Sequence, residues 1–227
     1  MPNSVDVILP LYRTEPYLIE LLRRLRKSLQ DVHLSIIAVD DLSPDRSVEI
    51  VQSIARDLEL PLSICKHKRN RGQHQAVLTG LAQSHGEVSV VMDADLQDPP
   101  EMVVPLIEKL DPESPGIAWS LRDQGAAGWL DGISSWIFKH WIVRKLGSDL
   151  SPNFGMFFAM SAESRKALLQ LPSENAYLPA MLISLRHPLH RLDYERGMTQ
   201  GESGYTLRKR IELARKARRW VNSLKTR

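Results

Sequence analysis

Cysteine is nearly missing from this chain: Cys65 is the only one in 227 residues. One thiol cannot close an intramolecular disulfide, and a reducing compartment is the simplest inference. Its setting, the apolar run LPLSICKH, predicts a small buried side chain. Long apolar runs are missing too. No stretch of about 18 uncharged apolar residues occurs, so no transmembrane helix is predicted. No basic segment leads into an apolar one at the N-terminus, so no secretory signal is predicted. There is no internal repeat, low-complexity tract or linker. With 43% hydrophobic and 25% charged residues, the composition is that of a soluble globular chain whose length suits a single core.

Each half of the chain is short of one sign of charge. Residues 1–113 hold 12 Lys/Arg against 18 Asp/Glu, a net of −6, whereas residues 114–227 hold 18 against 9, a net of +9. An acidic first half suits a divalent cation. A basic second half suits an anionic partner: phosphate, a membrane surface or nucleic acid.

What the sequence does contain is a regular alternation. VDVILPLY, HLSIIAVDD, LPLSICKH and EVSVVMDAD read as strands that are apolar along most of their length. Helical spacing separates them: Leu18, Leu21, Leu22, Leu25 and Leu29, then Val48, Val51, Ile54, Ala55 and Leu58, then GQHQAVLTGLAQS. Ser43 is the predicted N-cap of the second helix, with Pro44 at its first position. The pattern predicts an α/β fold with a mostly parallel, Rossmann-like sheet and helices on both faces. Beyond Asp111 the pattern weakens. GIAWSLR and NFGMFFAMS read as short strands, GWLDGISSWIFKHWIVRKL and AESRKALLQL as helices, and HRLDYERG as an edge strand. His67, His74 and His85 lie around the third helix at a spacing that suits no metal site, and surface positions are predicted for them.

Ligands bind parallel sheets at the carboxyl ends of the strands. Asp40, Asp41, Asp93 and Asp95 stand at strand ends, so they are predicted to gather at one edge. Paired carboxylates there can hold a hard divalent cation, to which a nucleotide diphosphate adds further oxygens. Taken alone, an Asp-x-Asp pair is equally a solvated turn with side-chain caps.

The pair does not stand alone. VILPLYRTEPYL, IIAVDDLSPDRSVEIV, KRNRGQHQAVLTGLAQSHGEVSVVMDADLQDPPEMV and ERGMTQGESGYTLRK occur in that order. Together they resemble the family 2 glycosyltransferases of GT-A fold, and among these the polyprenyl-phosphate glycosyltransferases that use dolichol or undecaprenyl phosphate. The resemblance covers nearly the whole chain and is densest in MDADLQDPPE. It implies that Pro10 and Tyr12 line a nucleotide-base pocket, that Asp40 accepts a hydrogen bond from the base and that Asp41 supports the loop. It places Asn70 and Gly72 beside the nucleotide. Asp93 would reach the ribose or the metal shell, and Asp95 and Gln97 would hold Mg²⁺ or Mn²⁺. Arg122 matches the family's arginine after the strand that follows the metal site. Arg196 and the turn from Gly201 to Tyr205, with Ser203 and Tyr205, would close over the diphosphate or the acceptor.

Departures from the family pattern keep the acceptor open. Asp131 stands near where a second arginine is expected, and Gly155 and Met156 occupy positions that are often polar or basic. No general base stands out; Glu174, Asp149 and His140 are weak candidates. A phosphate acceptor needs none, being already an anion, whereas a hydroxyl acceptor does. The resemblance implies a metal-dependent hexosyltransferase that moves a sugar from a nucleotide-diphosphate donor, with UDP the expected carrier, to a polyprenyl phosphate or other lipid-linked acceptor. A sugar-hydroxyl acceptor, or a catalytically degenerate scaffold that binds nucleotide sugar, remains the alternative.

Residues 206–227 are set apart from the GT-A domain, residues 1–205, as a basic amphipathic helix. They hold nine Lys/Arg and one acid, Glu212, with Leu207, Ile211, Ala214, Ala217, Val221 and Leu224 as an apolar stripe and Trp220 beside it. Such a helix suits the plane of an anionic membrane. The tryptophans of the helix from Trp129 to Leu146 suit either the bilayer interface or packing on the sheet. No nucleic-acid recognition motif accompanies the charge, so nucleic acid is not an expected partner. Relatives often continue into transmembrane helices where this sequence ends. The expectation is therefore a cytoplasmic enzyme peripheral to the cytosolic membrane face, with room for a membrane partner protein.

Overall fold

The computed structural model describes residues 1–111, 113–122, 140–146, 154–174, 176–194 and 215–222. Four strands form a parallel block: β1 (Ser4–Leu11), β2 (His33–Asp40), β3 (Leu62–Lys66) and β4 (Val88–Val91). Between them run α1 (Leu18–Ser28), α2 (Ser47–Asp57) and α3 (Gln73–Gln83). After β4 come a 3₁₀ turn (Pro100–Met102), α4 (Val103–Ile107), β5 (Ile117–Arg122), β6 (Phe154–Ser161), α5 (Ala162–Leu169), α6 (Leu178–Ser184) and β7 (Leu189–Tyr194). The sheet order is β3-β2-β1-β4-β6-β5-β7.

The period-two geometry of a strand sorts β1 between two layers. Val5, Val7, Leu9 and Leu11 face one core with Leu18, Leu21, Leu22 and Leu25 of α1 and Val51, Ile54 and Ala55 of α2. Ile8 faces the other core with Ala76, Val77 and Leu81 of α3. The four inward leucines of α1 are fully buried, each contributing roughly 1.5–3 kcal/mol of transfer free energy. That burial carries a helix whose outer face is mostly charged. Glu20 in its first turn and Arg26 and Lys27 in its last complement the helix dipole. α3 comes closer to the sheet than a side chain at Gly80 would permit, because a Cβ there would overlap Ile8 Cγ2.

β6 runs antiparallel to both β4 and β5, and β5 pairs parallel with β7. Two reversals bring β5 and β7 back to the direction of β1–β4. The carboxyl ends of six strands therefore share one edge, and β6 is the exception to the parallel expectation. His190–Tyr194, the described part of the predicted edge strand HRLDYERG, lies in the outer strand β7.

Four expectations are corrected. α2 begins at Ser47 rather than Ser43: Ser43 and Asp45 form a hydrogen-bonded turn before it, and Asp45 Oδ1 accepts from Ser47 N. Cys65 is half-buried on the edge strand β3 rather than enclosed, and burial raises its thiol pKa. His67 is buried and His74 half-buried, whereas surface positions were predicted. In the described helical segment 215–222, Ala217, Trp220 and Val221 are buried in the α3-side core, and Trp220 Nε1 donates to Pro172 O at 2.7 Å. Ala217 and Val221 of the predicted membrane-facing stripe, with the flanking Trp220, hold the helix to the protein instead. Its exposed side carries Arg215, Arg218 and Arg219. At the tryptophan-rich helix, described over residues 140–146, Ile142 and Val143 are buried and Trp141 packs against the same core. The boundary drawn between residues 205 and 206 lies outside the described residues.

Candidate functional site

Three short segments at the shared strand edge build the site. The first follows β4. Strand geometry stops at Val91, and the chain turns through Asp93, Ala94 and Asp95, with Leu96 at φ 58°. A leucine at positive φ is held by its surroundings rather than by preference. Gln97 N donates to Asp95 Oδ1 at 3.0 Å, an Asx turn that fixes that carboxylate. Gln73 Nε2, at the start of α3, donates to Asp93 Oδ1. Both carboxylates are half-buried, as is Gln97, whereas Asp98 is fully enclosed. Pro100 then opens the 3₁₀ turn, and Arg24 of α1 grips Glu101 in a two-pronged ion pair at 2.8 and 2.6 Å. That hydrogen-bonded contact holds the Glu101 carboxyl below its usual pKa, against the opposing effect of burial.

The second segment centres on Asp41, which is 3% exposed. Its Oδ1 accepts from Arg71 N at 2.7 Å and lies 2.8 Å from His67 Nδ1, while its Oδ2 accepts from Gly72 N at 2.7 Å. Asn70 Nδ2 donates to the Asp41 carbonyl at 3.0 Å. A carboxylate only accepts, so His67 Nδ1 carries the proton; in the neutral ring Nε2 then accepts from Thr79 Oγ1 at 2.9 Å. Gly72 sits at φ 86°, a conformation that favours glycine, and there the loop turns into α3. Asp41 thus shapes the whole loop from His67 to Gly72 and thereby sets where Gln73 points.

The third segment joins the β1–α1 and β2–α2 loops. Asp40 Oδ1 accepts from Ser43 N at 2.7 Å, and Ser43 Oγ accepts from Arg13 N at 2.8 Å. Ser43 and Ser47 hydroxyls both donate to Asp45 Oδ1 at 2.6 Å, and Glu15 N donates to Asp45 Oδ2 at 3.1 Å. Burial pushes the Asp45 carboxyl pKa up, but these hydrogen bonds outweigh it and hold the group below its usual value. Tyr12 projects from this seam, 45% exposed, with the Arg13 guanidinium 5.6 Å from its ring centre. Pro10 is half-buried near the end of β1.

Pro10, Tyr12, Asp40, Asp41, Asn70, Gly72, Asp93, Asp95 and Gln97 all follow or end β1–β4 on the one edge. Arg122 is the last residue of β5 and reaches the same edge through the strand directions just described. Arg196, Ser203 and Tyr205 lie outside the described residues, as do Asp131 and Asp149. Glu174 and His140 are exposed. Among the described residues no three His, Cys, Asp or Glu side chains converge as a metal cluster. A depression of about 390 Å³ opens beside the site, lined by Lys66, His67, Lys68, Arg69 and Arg71.

The profile of glycosyl transferase family 2 matches residues 6–171. This chain belongs to glycosyltransferase family 2. It is 29% identical over 212 residues to the undecaprenyl-phosphate 4-deoxy-4-formamido-L-arabinose transferase of Edwardsiella ictaluri, covering 92% of this chain and 65% of that protein. It is 40% identical over 107 residues to the dolichol-phosphate mannosyltransferase of Pyrococcus furiosus, covering 47% of this chain and 30% of that one. The chain thus spans less than two thirds of the length of these relatives. Its fold is similar to that of glucosyl-3-phosphoglycerate synthase from Mycobacterium tuberculosis, solved with Mn²⁺, UDP and glucosyl-3-phosphoglycerate. There the TM-score is 0.64 at 17% identity, over 98% of this chain and 78% of that one. It is also similar to a mannosyltransferase from Pyrobaculum calidifontis solved with GDP-mannose and Mn²⁺, with a TM-score of 0.64 at 19% identity over 90% and 59% of the two chains. The GT-A architecture implied by the family resemblance is therefore the fold of this family 2 chain.

Gln73 has no place in the sequence reading, and His67 and His74 enter it only as surface residues. Histidine spacing was tested for metal binding, and the helix pattern gave no reason to ask what the first helical turn holds. The one available signal was Gly72, which marks a turn that brings the next residue up against the strand ends.

Proposed function

We propose that this chain is a metal-dependent glycosyltransferase that moves a sugar from a nucleoside diphosphate to a polyprenyl phosphate at a membrane surface. The observation that carries the reading is the pair Asp93 and Asp95, each oriented by a hydrogen bond, at the strand edge that also holds Asp40 and Asp41. Asp93, Asp95 and the side-chain amide of Gln97 form an all-oxygen donor set, which fits Mg²⁺ or Mn²⁺. Those side chains would hold the cation in part, with room left for phosphate oxygens of the donor. A bound divalent cation would neutralise charge that develops on the departing diphosphate.

The chain's own residues do the remaining work. Asp41 holds the loop from His67 to Gly72, which lies beside the nucleotide through Asn70 and Gly72. Pro10, Tyr12 and Asp40 take the base; Asp40 does so from a carboxylate already oriented by Ser43 N. Arg122 meets the acceptor phosphate, and Arg196, Ser203 and Tyr205 close the site. In the reaction an acceptor phosphate oxygen forms the bond to the anomeric carbon as the bond from that carbon to the diphosphate breaks. No proton has to be removed from such an acceptor, which agrees with the exposed positions of Glu174 and His140.

Relatives act on undecaprenyl and dolichol phosphate by name, which supports the lipid acceptor. UDP and GDP-mannose each occur in the structural neighbours; uridine is proposed here. Thermal-shift titration with UDP and GDP, with and without Mn²⁺, tests the donor half. The expected result is a metal-dependent shift with UDP that is absent in Asp95→Asn. Transfer from UDP-sugars to undecaprenyl phosphate tests the acceptor half. Retained nucleotide binding without transfer or donor hydrolysis would support the degenerate scaffold.

A further inference from the structure

The sequence places its conspicuous basic run at the C-terminal end, yet the fold assembles a second one beside it. Lys66, the last residue of β3, and Lys68 and Arg69 on the β3–α3 loop are exposed. Arg215, Arg218 and Arg219 are exposed on the helical segment 215–222, whose apolar side is buried. A chain of contacts joins the two. Arg71 Nη2 donates to Gln75 Oε1 at 3.0 Å, and Gln75 Nε2 donates to Ser173 O at 2.7 Å. The neighbouring Pro172 O accepts from Trp220 Nε1 at 2.7 Å. His74, one residue before Gln75, lies close enough to Lys216 for that ammonium to lower its pKa. Six cationic side chains from two distant parts of the sequence thus flank one region around the N-terminus of α3.

That region adjoins the catalytic edge. Lys66 pairs in register with Asp40, and the loop it opens is held by Asp41. We propose that these two basic elements form one electrostatic docking surface for an anionic phospholipid bilayer, turning the donor site toward the membrane plane. This deepens the reading above and rests on it, because a lipid-borne acceptor has to reach the site from that plane. Docking is by charge rather than by insertion: Ala217, Trp220 and Val221 already lie in the protein core, so the helix presents arginines to the lipid. A nucleic acid fits the same surface less well, since among the described residues no exposed aromatic side chain for base stacking interleaves with these six.

Vesicle co-sedimentation tests the proposal, using the full chain with phosphatidylcholine alone or mixed equally with phosphatidylglycerol. Binding is expected with the mixed vesicles only, and it should disappear as salt rises and screens the surface. Each removed charge should lower partition about fivefold. Lys66→Gln/Lys68→Gln/Arg69→Gln and Arg215→Gln/Arg218→Gln/Arg219→Gln should therefore each lose on the order of a hundredfold. All six residues are exposed, so both variants should keep the parent's melting temperature, and the Arg215/Arg218/Arg219 variant, which lies outside the loop beside the nucleotide, should also keep its UDP–Mn²⁺ thermal shift. Equal binding to neutral vesicles, binding that survives high salt, or either triple variant partitioning like the parent would overturn the proposal. Tighter binding to an RNA duplex than to mixed vesicles would overturn it as well. The nucleotide thermal shift is read separately, so failure of the unaltered chain to bind mixed vesicles with that shift intact rejects the docking surface alone. Loss of the shift in the unaltered chain rejects the glycosyltransferase reading itself.

Discussion

Gln73, the first residue of α3, donates its side-chain amide to Asp93 Oδ1. The contact links a helix start to the turn after β4, and the helix start is itself fixed by Asp41 through Gly72 N. An aspartate that is to bind a cation gains from such support, because a partner behind the ligand orients it before the cation arrives. Gln73→Leu should weaken the apparent affinity for Mn²⁺ about ten- to a hundredfold. The melting temperature without metal should change little, since one half-buried hydrogen bond contributes only about 1 kcal/mol. Mn²⁺ titrations of UDP binding read the effect. An unchanged midpoint would remove Gln73 from the site.

Asp40 and Asp41 are neighbours with opposite expected phenotypes. Asp41 is enclosed and accepts from Arg71 N, Gly72 N and His67 Nδ1. Asp41→Ala leaves those donors buried without an acceptor and should cost about 3 kcal/mol or more. Calorimetry should show a fall in melting temperature of roughly 10 °C for a chain of this size. Asp40→Asn can still accept from Ser43 N through its amide oxygen. It should melt near the parent temperature while binding nucleotide less tightly, because the proposed contact to the base would lose its carboxylate. A large loss of stability in Asp40→Asn would contradict this division of roles.

His74 packs edge-on to Tyr177, with ring centres 5.0 Å apart, and its buried Nδ1 has no hydrogen-bond partner among the described residues. Burial first, then the Lys216 ammonium, lowers its pKa from 6.5 to about 4. The folded state therefore binds a proton less readily than the unfolded state. Stability is complete above pH 6.5, falls as the pH drops from there, and levels off below about 4. The loss amounts to at most about 3 kcal/mol. His74→Phe keeps the ring and removes the titration, so its melting temperature should fall less than the parent's between pH 7 and pH 4.5. Parallel pH profiles for the two proteins would refute the assignment.

Much of this arrangement was legible in the order of residues. Apolar strands alternating with helical stripes predict the parallel block, and strand ends that carry acids predict the functional edge. β6 was harder to read: FGMFFAMS gives a strand but no direction, and direction decides that Arg122 reaches the same edge as Asp95. Trp220 shows another limit. Its helix has the composition of a membrane-surface helix, and composition alone does not say which apolar surface meets the stripe. The Pro172 carbonyl, 48 residues away, decides it. Asp41 shows a third. A strand-end carboxylate reads as a ligand contact, yet its main task is to hold backbone amides that have no sequence signature.

The opposite end of the sheet holds a polar cluster that no motif announces. Asp6 of β1 is buried, and its Oδ2 accepts from Ser84 Oγ, His85 N and Gly86 N at 2.8, 2.6 and 2.7 Å. Arg165 of α5, also buried, donates from Nη1 to Ser84 Oγ, Gly86 O and Ser89 Oγ at 3.0, 2.8 and 2.6 Å. Burial lowers the guanidinium pKa and the Asp6 charge opposes that shift, so the two charges compensate one another through Ser84. Removing one partner leaves the other buried and less compensated. Arg165→Met should therefore destabilise the fold by about 3–5 kcal/mol. Adding Asp6→Asn removes the uncompensated carboxylate and should recover part of that loss. Chemical denaturation of the two single variants and the double variant gives the coupling directly. Since the cluster lies at the amino ends of β1 and β4, away from Asp93 and Asp95, UDP and Mn²⁺ affinity should be unchanged in whatever fraction remains folded. Additive losses in the double variant would show that Asp6 and Arg165 act independently.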